Sequence, residues 1–220
     1  MRSCEERHAP IGMLPKLYAI VDAAVTLRAG WDPPNLARVY VDAGVRLIQL
    51  RAPGVDGKIV LGWCRQIIAI AAPAGARLIV NDRCDLAMLA GADGVHLGQG
   101  DLPVTEARRQ LGASAMIGVS THDEAQVREA LLQPVSYLAT GPVFDTRTKD
   151  TGYVAVGLDA VRRTAAAAGG RPVVAIGGIT LATAPAVLAA GASAVAVIAD
   201  LLATGNPSTR VRDYLAVLAH

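Results

Sequence analysis

The sequence has few aromatic residues, and this scarcity argues against one class of partner. Only 4% of the 220 residues are Phe, Trp or Tyr, and there is a single Phe. Proteins that bind single-stranded nucleic acid stack bases on aromatic side chains along a basic groove. The formal net charge is +2, with acidic and basic residues interspersed, so no such groove is indicated. We expect no nucleic acid partner.

Cysteine is also scarce, and its spacing argues against two kinds of cross-link. Cys4, Cys64 and Cys84 are odd in number and widely spaced, without a CxxC pair. This pattern indicates neither a disulfide framework nor a structural zinc site, and it is typical of the reducing cytoplasm. No partner for a nucleophilic thiol is apparent near Cys84, which we expect to pack beside a helix.

Long apolar runs without Gly or Pro are missing as well. The charged segment MRSCEERHAP at the start lacks the apolar core of a signal peptide, so we expect no export. The most apolar window, 182–199, contains Pro185 and Gly191 and is better explained by a helix, a turn and a strand than by a membrane span. We therefore expect a cytoplasmic protein with no membrane partner.

Ala, Val, Leu, Ile and Gly are abundant, and one recurring phrase organises them. DAGVRLIQL, LAGADGVHL and AAGASAVAVI each run from an Ala-rich segment through Gly into apolar residues. Gly44, Gly91 and Gly191 are predicted to follow a helix, where a left-handed residue closes the last turn before a strand. The length favours a single domain over residues 14–220, with residues 1–13 as an N-terminal extension. Whether the chain forms a homo-oligomer is left open.

The same pattern predicts eight strands, mostly separated by segments of helical length. Their apolar runs are typical of strands covered on both faces, as in parallel sheets with crossover helices. Eight such units in roughly 200 residues favour an α/β fold closed as a single (β/α)8 TIM barrel over a doubly wound sheet. No GxGxxG follows the first strand. The predicted strands are 17–22, 45–51, 77–81, 93–97, 116–119, 136–140, 173–177 and 194–198.

Polar residues gather directly after these apolar runs. In barrels of this type the active site lies at the carboxyl ends of the strands, so these side chains are candidates for function. The polar residues and glycines at the strand ends are Asp22; Gln49 and Arg51; Asn81 and Asp82; His96, Gln99 and Asp101; Ser120 and His122; Thr146, Thr148 and Lys149; and Gly177 and Gly178.

Two carboxylates follow neighbouring strands. Asp82 and Asp101 would meet at one edge of the barrel, where their oxygens suit Mg²⁺, an ion that keeps waters and binds substrate phosphates. The alternative is that each aspartate caps a helix. Together with Arg51 and Lys149, the pair indicates a bound metal diphosphate.

A second anion site is indicated after the seventh and eighth strands, which end in AIGGIT and VAVIAD. Barrels of this type bind phosphate there through backbone amides, although a tight turn also explains one glycine. In the loop after strand six, Thr146, Thr148 and Lys149 add two hydroxyls and a cation, or form a β-ribbon or capped turn. His96 is either a structural imidazole bonded to backbone or a catalyst, and His122 is expected to neighbour a helix cap.

Eight motifs in chain order resemble those of the thiamine-phosphate synthase family, over about residues 17–200. They are LYAIVD, LIQLR, LIVNDR, ADGVHLGQGDLP, IGVSTH, TGPVFDTRTK, VAIGGI and GASAVAVI. The resemblance implies that hydroxymethylpyrimidine diphosphate and thiazole phosphate are joined to give thiamine phosphate and pyrophosphate. Diphosphate leaves first, and the thiazole nitrogen then attacks the pyrimidine carbocation, so no protein nucleophile is needed.

The resemblance also assigns residues to the two substrates and the metal. Arg51, Ser120 and Lys149 are predicted to be catalytic. The implied ligands are Gln49, Arg51, Asn81, Ser120 and Lys149 for the pyrimidine diphosphate, Asp82 and Asp101 for Mg²⁺, and Thr146, Thr148, Gly178, Ile198 and Ala199 for the thiazole phosphate.

The chain departs from the family pattern at two positions. Pro53 stands where the family usually has a second lysine, and Ala199 stands where a serine is frequent. Lys58 is near in sequence and is a candidate to substitute for this lysine from the loop. Two other functions therefore remain open: a thiazole tautomerase, and a non-catalytic phosphate-binding barrel. The tautomerase is disfavoured because Pro142 occupies the position of its histidine, and because both aspartates are present.

Overall fold

The computed structural model describes residues 14–146 and 152–219. Within them, eight parallel strands form a closed barrel in which each strand pairs with its neighbours in chain order and the first pairs with the last. Every strand is buried along most or all of its length, as strands covered on both faces must be. The predicted (β/α)8 TIM barrel is confirmed. Residues 1–13 lie outside the described residues, so the predicted extension stays a prediction.

The strands and helices alternate along the chain. The strands are β1 Leu17–Asp22, β2 Leu47–Arg51, β3 Arg77–Asn81, β4 Gly94–Leu97, β5 Met116–Thr121, β6 Tyr137–Thr140, β7 Val173–Ile176 and β8 Ala194–Val197. The helices are α1 Ala23–Arg28, α2 Pro33–Asp42, α3 Gly57–Ala71, α4 Cys84–Ala90, α5 Val104–Leu111, α6 Glu124–Leu131, α7 Gly157–Ala167, α8 Ala184–Ala189 and α9 Pro207–Leu218. Short 3₁₀ helices cover Ala72–Ala74 and Ala199–Leu202.

The strand boundaries differ from the sequence prediction by at most two residues. β2 begins at Leu47 rather than at residue 45, because the backbone N–H of Val45 still donates to the carbonyl of Tyr40 at the end of the preceding helix (2.9 Å). β5 continues to Thr121 because Ser120 and Thr121 keep pairing with β6. These small shifts leave the predicted order of the site residues unchanged.

The helix-to-strand junctions have the predicted backbone conformation. Gly44, Gly91 and Gly191 have φ angles of +114°, +70° and +103°. These values lie in the region that only glycine adopts without cost, so each junction turns sharply from a helix into a strand. The repeated phrase in the sequence is therefore the junction of a repeating structural unit.

Alternation along the strands sends every second side chain into the barrel. The interior layer includes Tyr18, Ile79, Met116 and Tyr137, all of which are buried. Gly118 pairs with Tyr137 in register, and a Cβ at this glycine would overlap the tyrosine ring. The missing side chain on β5 thus makes room for a ring from β6, which closes the barrel below the rim.

The described part of the chain contains no helix that is both long and apolar enough to cross a membrane.

A first prediction concerns the contribution of Tyr40, on helix α2, to the stability of the fold. This side chain is buried, and its hydroxyl has no hydrogen-bond partner among the described residues. An unpaired buried polar group is unfavourable, so Tyr40→Phe should raise the free energy of unfolding by about 1 kcal/mol in urea titrations.

Tyr214 on α9 provides the matched control, because its hydroxyl donates to Asp200 Oδ2 over 2.6 Å. Tyr214→Phe should lower the free energy of unfolding by about the same amount. Destabilisation of similar size by both substitutions would contradict the assignment at Tyr40.

Candidate active site

The carboxyl ends of the strands surround a cavity of about 420 Å³. Asp101 is not among its lining residues but bonds to one of them, and Thr148 and Lys149 lie outside the described residues. The predicted site residues that line the cavity are Gln49, Arg51, Asn81, Asp82, Ser120, Thr146, Gly178, Ile198 and Ala199. Most of the predicted set therefore meets in one cavity.

Arg51 at the end of β2 is held by the neighbouring strand. Its guanidinium forms an ion pair with Asp22, the residue that lies beside it at the end of β1. Asp22 is buried and also caps α1 by accepting a hydrogen bond from the Val25 N–H (3.0 Å). The Nε of Arg51 is buried and has no partner in the described part of the chain. The arginine is thus fixed in place, and it lines the cavity.

Asp82 has an unusual backbone. Its φ is +63°, and among the described residues it is the only non-glycine with a positive φ. Asn and Asp tolerate this conformation best, and such strain is concentrated at functional sites. The Asp82 N–H donates to the carbonyl of His96 on β4 (2.8 Å), which fixes this conformation beside the cavity.

Asp101 stabilises the loop after β4. Its Oδ2 accepts a hydrogen bond from the N–H of Gly98, a cavity-lining residue (2.6 Å). The alternative role as a helix cap is wrong for both aspartates, because α4 is preceded at the cap by Arg83 and α5 by Pro103. Both carboxylates therefore remain candidates for a metal.

A metal at this edge would need ligands beyond protein side chains. No group of three or more His, Cys, Asp or Glu side chains within the described ranges is arranged to hold a metal ion. Two carboxylates match Mg²⁺, which is typically held by one or two carboxylates together with waters and substrate phosphates. The donor set thus fits this ion.

A chain of hydrogen bonds crosses the floor of the cavity. Gln49 Nε2 donates to the Tyr18 hydroxyl (2.9 Å), which lies 3.1 Å from the Tyr137 hydroxyl. The latter is 3.0 Å from His96 Nδ1, and His96 Nε2 is 2.9 Å from the Ser120 hydroxyl. Burial raises the pKa of both tyrosines, so the phenols remain neutral. Both ring nitrogens of His96 therefore lie within hydrogen-bond distance of side-chain hydroxyls.

Tyr18 and Tyr137 were not predicted as part of the site, although one signal for Tyr18 was present. Tyr18, Ile20 and Asp22 alternate along β1, so they share the face that points into the barrel. A buried phenol also needs a hydrogen-bond partner. The contact with Tyr137 joins residues 119 positions apart and has no signature in the sequence.

His122 lies where the sequence predicted, directly before the residue that caps α6, Asp123. Its Nδ1 is 2.5 Å from the Gly141 carbonyl, and its ring stacks on Tyr153 at 3.7 Å between centroids. These contacts hold the imidazole at the wall of the cavity.

The turn after β7 carries two glycines with φ of +101° and +63°, Gly177 and Gly178. A Cβ at Gly178 would collide with Phe144 and Asp145 of the loop after β6. Close packing therefore explains both glycines, so the glycine pair alone does not identify a phosphate site.

A better sign of an anion site lies in the amides of the same turn. The N–H groups of Gly178 and Ile179, which line the cavity, donate to no acceptor in the described part of the chain. Unpaired backbone N–H groups that face a cavity are suited to bind an anion.

Lys58 does not replace the family lysine that is absent at Pro53. It lies in the first turn of α3, is exposed and does not line the cavity. Among the described residues that line the cavity, Arg51 is the only lysine or arginine.

Comparison with known proteins agrees with this geometry. A family model described as thiamine monophosphate synthase matches residues 17–201. The chain belongs to the thiamine monophosphate synthase family. Members of this family are transferases, and the resemblance in the sequence is confirmed.

Individual relatives match nearly the whole chain. The thiamine-phosphate synthase of Mycolicibacterium smegmatis is 42% identical over 212 residues, covering 92% of each chain. That of Koribacter versatilis is 40% identical over 210 residues, covering 93% of this chain and 96% of the relative. The solved structure of thiamine phosphate pyrophosphorylase from Pyrococcus furiosus has a TM-score of 0.83 at 26% identity, covering 93% of this chain and 95% of that one.

The two cysteines of the barrel should be inert in the folded protein. Burial raises the pKa of the Cys64 thiol to about 12, and burial with the charges of Asp85 and Asp101 raises that of Cys84 to about 11. The thiolate is the reactive form, so iodoacetamide at about pH 8 should leave both residues unmodified until urea unfolds the chain. Alkylation of native Cys84, detected by mass spectrometry, would contradict this expectation.

Proposed function

We propose that this family member joins hydroxymethylpyrimidine diphosphate to thiazole phosphate, releasing thiamine phosphate and pyrophosphate. The observation that supports this proposal is that two separate anion-binding ends share one cavity. Arg51 lies on β2 and the unpaired amides of Gly178 and Ile179 follow β7, with β1 and β8 between them. A reaction between a diphosphate and a monophosphate needs such a pair of ends.

The diphosphate end is built around Arg51. Its guanidinium lines the cavity and would bind diphosphate oxygens through charge-assisted hydrogen bonds. We assign Gln49, Asn81 and Ser120 to the pyrimidine diphosphate as well. The proposed role of Lys149 rests on the family motif, since this residue lies outside the described range.

The monophosphate end is built from backbone. The N–H groups of Gly178 and Ile179 would bind the thiazole phosphate, and the segment 198–199 after β8 lines the same end. Ala199 has no hydroxyl, so its contribution is limited to the backbone. Thr146 lines the cavity nearby, and the assignment of Thr148 again rests on the motif.

Asp82 and Asp101 would hold Mg²⁺ with the diphosphate. When bound, this ion supplies positive charge that stabilises the departing diphosphate. The strained backbone of Asp82 and the hydrogen bond from Gly98 to Asp101 would position the two carboxylates for this role.

The proposed reaction is a dissociative substitution. The bond between the pyrimidine methylene carbon and the diphosphate oxygen breaks, and the electron pair leaves with the diphosphate. Arg51 stabilises the negative charge that develops on the leaving group, and the thiazole nitrogen then donates its electron pair to the carbocation. Both substrates would bind in one cavity. Their reaction is then effectively unimolecular, because the two reacting atoms are already close together.

The floor of the cavity suits a reactive cation. Ile20, Ala139 and Val174 contribute apolar side chains to it, and the phenols of Tyr18 and Tyr137 are neutral. Cys84 does not line the cavity, so its thiol is not placed to compete for the cation. Such a floor limits the access of water and of protein nucleophiles. The free, buried thiols of Cys64 and Cys84 support a reducing compartment, and we infer the cytoplasm.

Purified protein given both substrates and Mg²⁺ should form thiamine phosphate and pyrophosphate in equal amounts, and a chelator should abolish both products. Asp82→Asn and Asp101→Asn should each reduce the rate by about 100-fold. Asp159→Asn, in an exposed pair with Arg162 on α7, is the control and should keep full activity. Isomerisation of the thiazole without pyrophosphate release would instead identify a tautomerase, although Pro142 offers no proton-transfer group to the cavity.

The role of Arg51 can be separated from that of its partner. Arg51→Gln should lower kcat by about 100-fold, because it removes the charge that stabilises the leaving diphosphate. Asp22→Asn should cause a smaller loss of about tenfold, since the arginine remains but is less firmly held. Steady-state kinetics would measure both values, with Arg162→Gln as the control. A kcat for Arg51→Gln close to that of the unaltered protein would contradict the proposed role.

A further inference from the structure

A polar cluster lies behind the monophosphate end, and the proposed reaction does not use it. Asp200 belongs to the 3₁₀ helix that follows β8, and it lines the cavity. Its partners Arg210 and Tyr214 lie one turn apart on α9. The side chains of Asp200 and Arg210 are only 15% and 17% exposed.

One carboxylate oxygen connects this cluster to the turn after β7. Asp200 Oδ2 accepts hydrogen bonds from Arg210 Nη2 (2.7 Å), Arg210 Nε (3.2 Å) and the Tyr214 hydroxyl (2.6 Å). It also accepts a hydrogen bond from the backbone N–H of Leu181 (3.1 Å). The carboxylate thereby ties α9 and the end of β8 to the loop that carries the two unpaired amides.

The unpaired amides lie between two anchors. On one side the Gly177 carbonyl accepts a hydrogen bond from the Phe144 N–H (3.0 Å), and on the other the Leu181 N–H donates to Asp200. Gly178, Ile179 and Thr180 are the residues in between, and the Thr180 N–H is paired with the Thr183 hydroxyl (2.9 Å). The N–H groups of Gly178 and Ile179 have no acceptor in the described part of the chain, so the anchors determine where these donors point.

The positioning of these amides is especially important in this chain. Ala199 offers no hydroxyl to a phosphate, so the monophosphate end depends on backbone donors. A carboxylate beside a phosphate also repels it unless a cation is paired with it. Arg210 supplies that cation to Asp200, and its guanidinium lies 5.7 Å from the centre of the Tyr214 ring.

We propose that Asp200 is a positioning residue, held by Arg210 and Tyr214, which aims the amides of Gly178 and Ile179 at the acceptor phosphate. It thereby sets the preference for a phosphorylated thiazole over the corresponding thiazole alcohol. This inference rests on the proposed function.

Kinetics with two acceptors test the proposal. Asp200→Asn should raise KM for thiazole phosphate by about tenfold, because the carboxylate that anchors Leu181 is lost. KM for the pyrimidine diphosphate and kcat/KM for the thiazole alcohol should stay unchanged. Tyr214→Phe keeps the charge of Asp200 and should shift KM for thiazole phosphate in the same direction by about threefold. Asp159→Asn is again the control.

The sign of the effect separates positioning from simple charge. Removal of the Asp200 carboxylate leaves Arg210 unpaired, so an effect through charge alone would lower KM for the phosphate substrate. A lower or unchanged KM would overturn the proposal, as would an equal loss with the phosphorylated and unphosphorylated acceptors. If Asp200→Asn does not fold, as judged by its melting temperature, Tyr214→Phe decides by the same criteria.

A binding measurement distinguishes failure of this inference from failure of the proposed function. If the unaltered protein forms no thiamine phosphate from both substrates, the proposed function is wrong. Calorimetric measurement of inorganic phosphate binding then tests the role of Asp200 without the reaction. Binding weakened by about tenfold in Asp200→Asn would support the positioning role, and equal binding would overturn it.

Discussion

Pairing between β1 and β8 closes the barrel, and the site depends on that closure. The register places Leu17 beside Val195 and Ala19 beside Val197, so the ends of the first and last strands meet at the same level. Arg51 adjoins one side of this seam through β1, and the turn after β7 adjoins the other through β8. An open sheet would separate the two proposed anion-binding ends, whereas closure puts both into one cavity.

The cavity combines charge at its rim with neutrality at its floor. The ion pair of Asp22 and Arg51 and the two candidate metal carboxylates lie where the strands end. Below them, the hydrogen-bonded chain from Gln49 to Ser120 includes two phenols, Tyr18 and Tyr137, whose pKa burial raises. In the proposed reaction the charged groups face the diphosphate and the neutral ones face the carbocation, so each part of the substrate meets an environment of suitable polarity.

The fold and the residues at the carboxyl ends of the strands were predictable from the sequence, because both follow from the pattern of apolar residues. Apolar runs located the strands, and strand order placed Gln49, Arg51 and Asn81 at one end of the barrel. Contacts that depend on three-dimensional register were not predictable. The contact of Tyr18 with Tyr137 and the hydrogen bond from Leu181 to Asp200 each join separate strands or loops. The left-handed conformation of Asp82 depends on local geometry. None of these features leaves a periodic pattern in the sequence. The glycine pair after β7 was a weaker signal than it looked, because packing explains it.

The close fit of Tyr137 over Gly118 has a consequence for the history of the sequence. The ring and any side chain at position 118 would occupy the same volume. Loss of the glycine is therefore tolerable only after residue 137 has become smaller, and a smaller residue 137 breaks the link between Tyr18 and His96. A side chain at position 118 should therefore occur only in homologues that have a smaller residue at position 137.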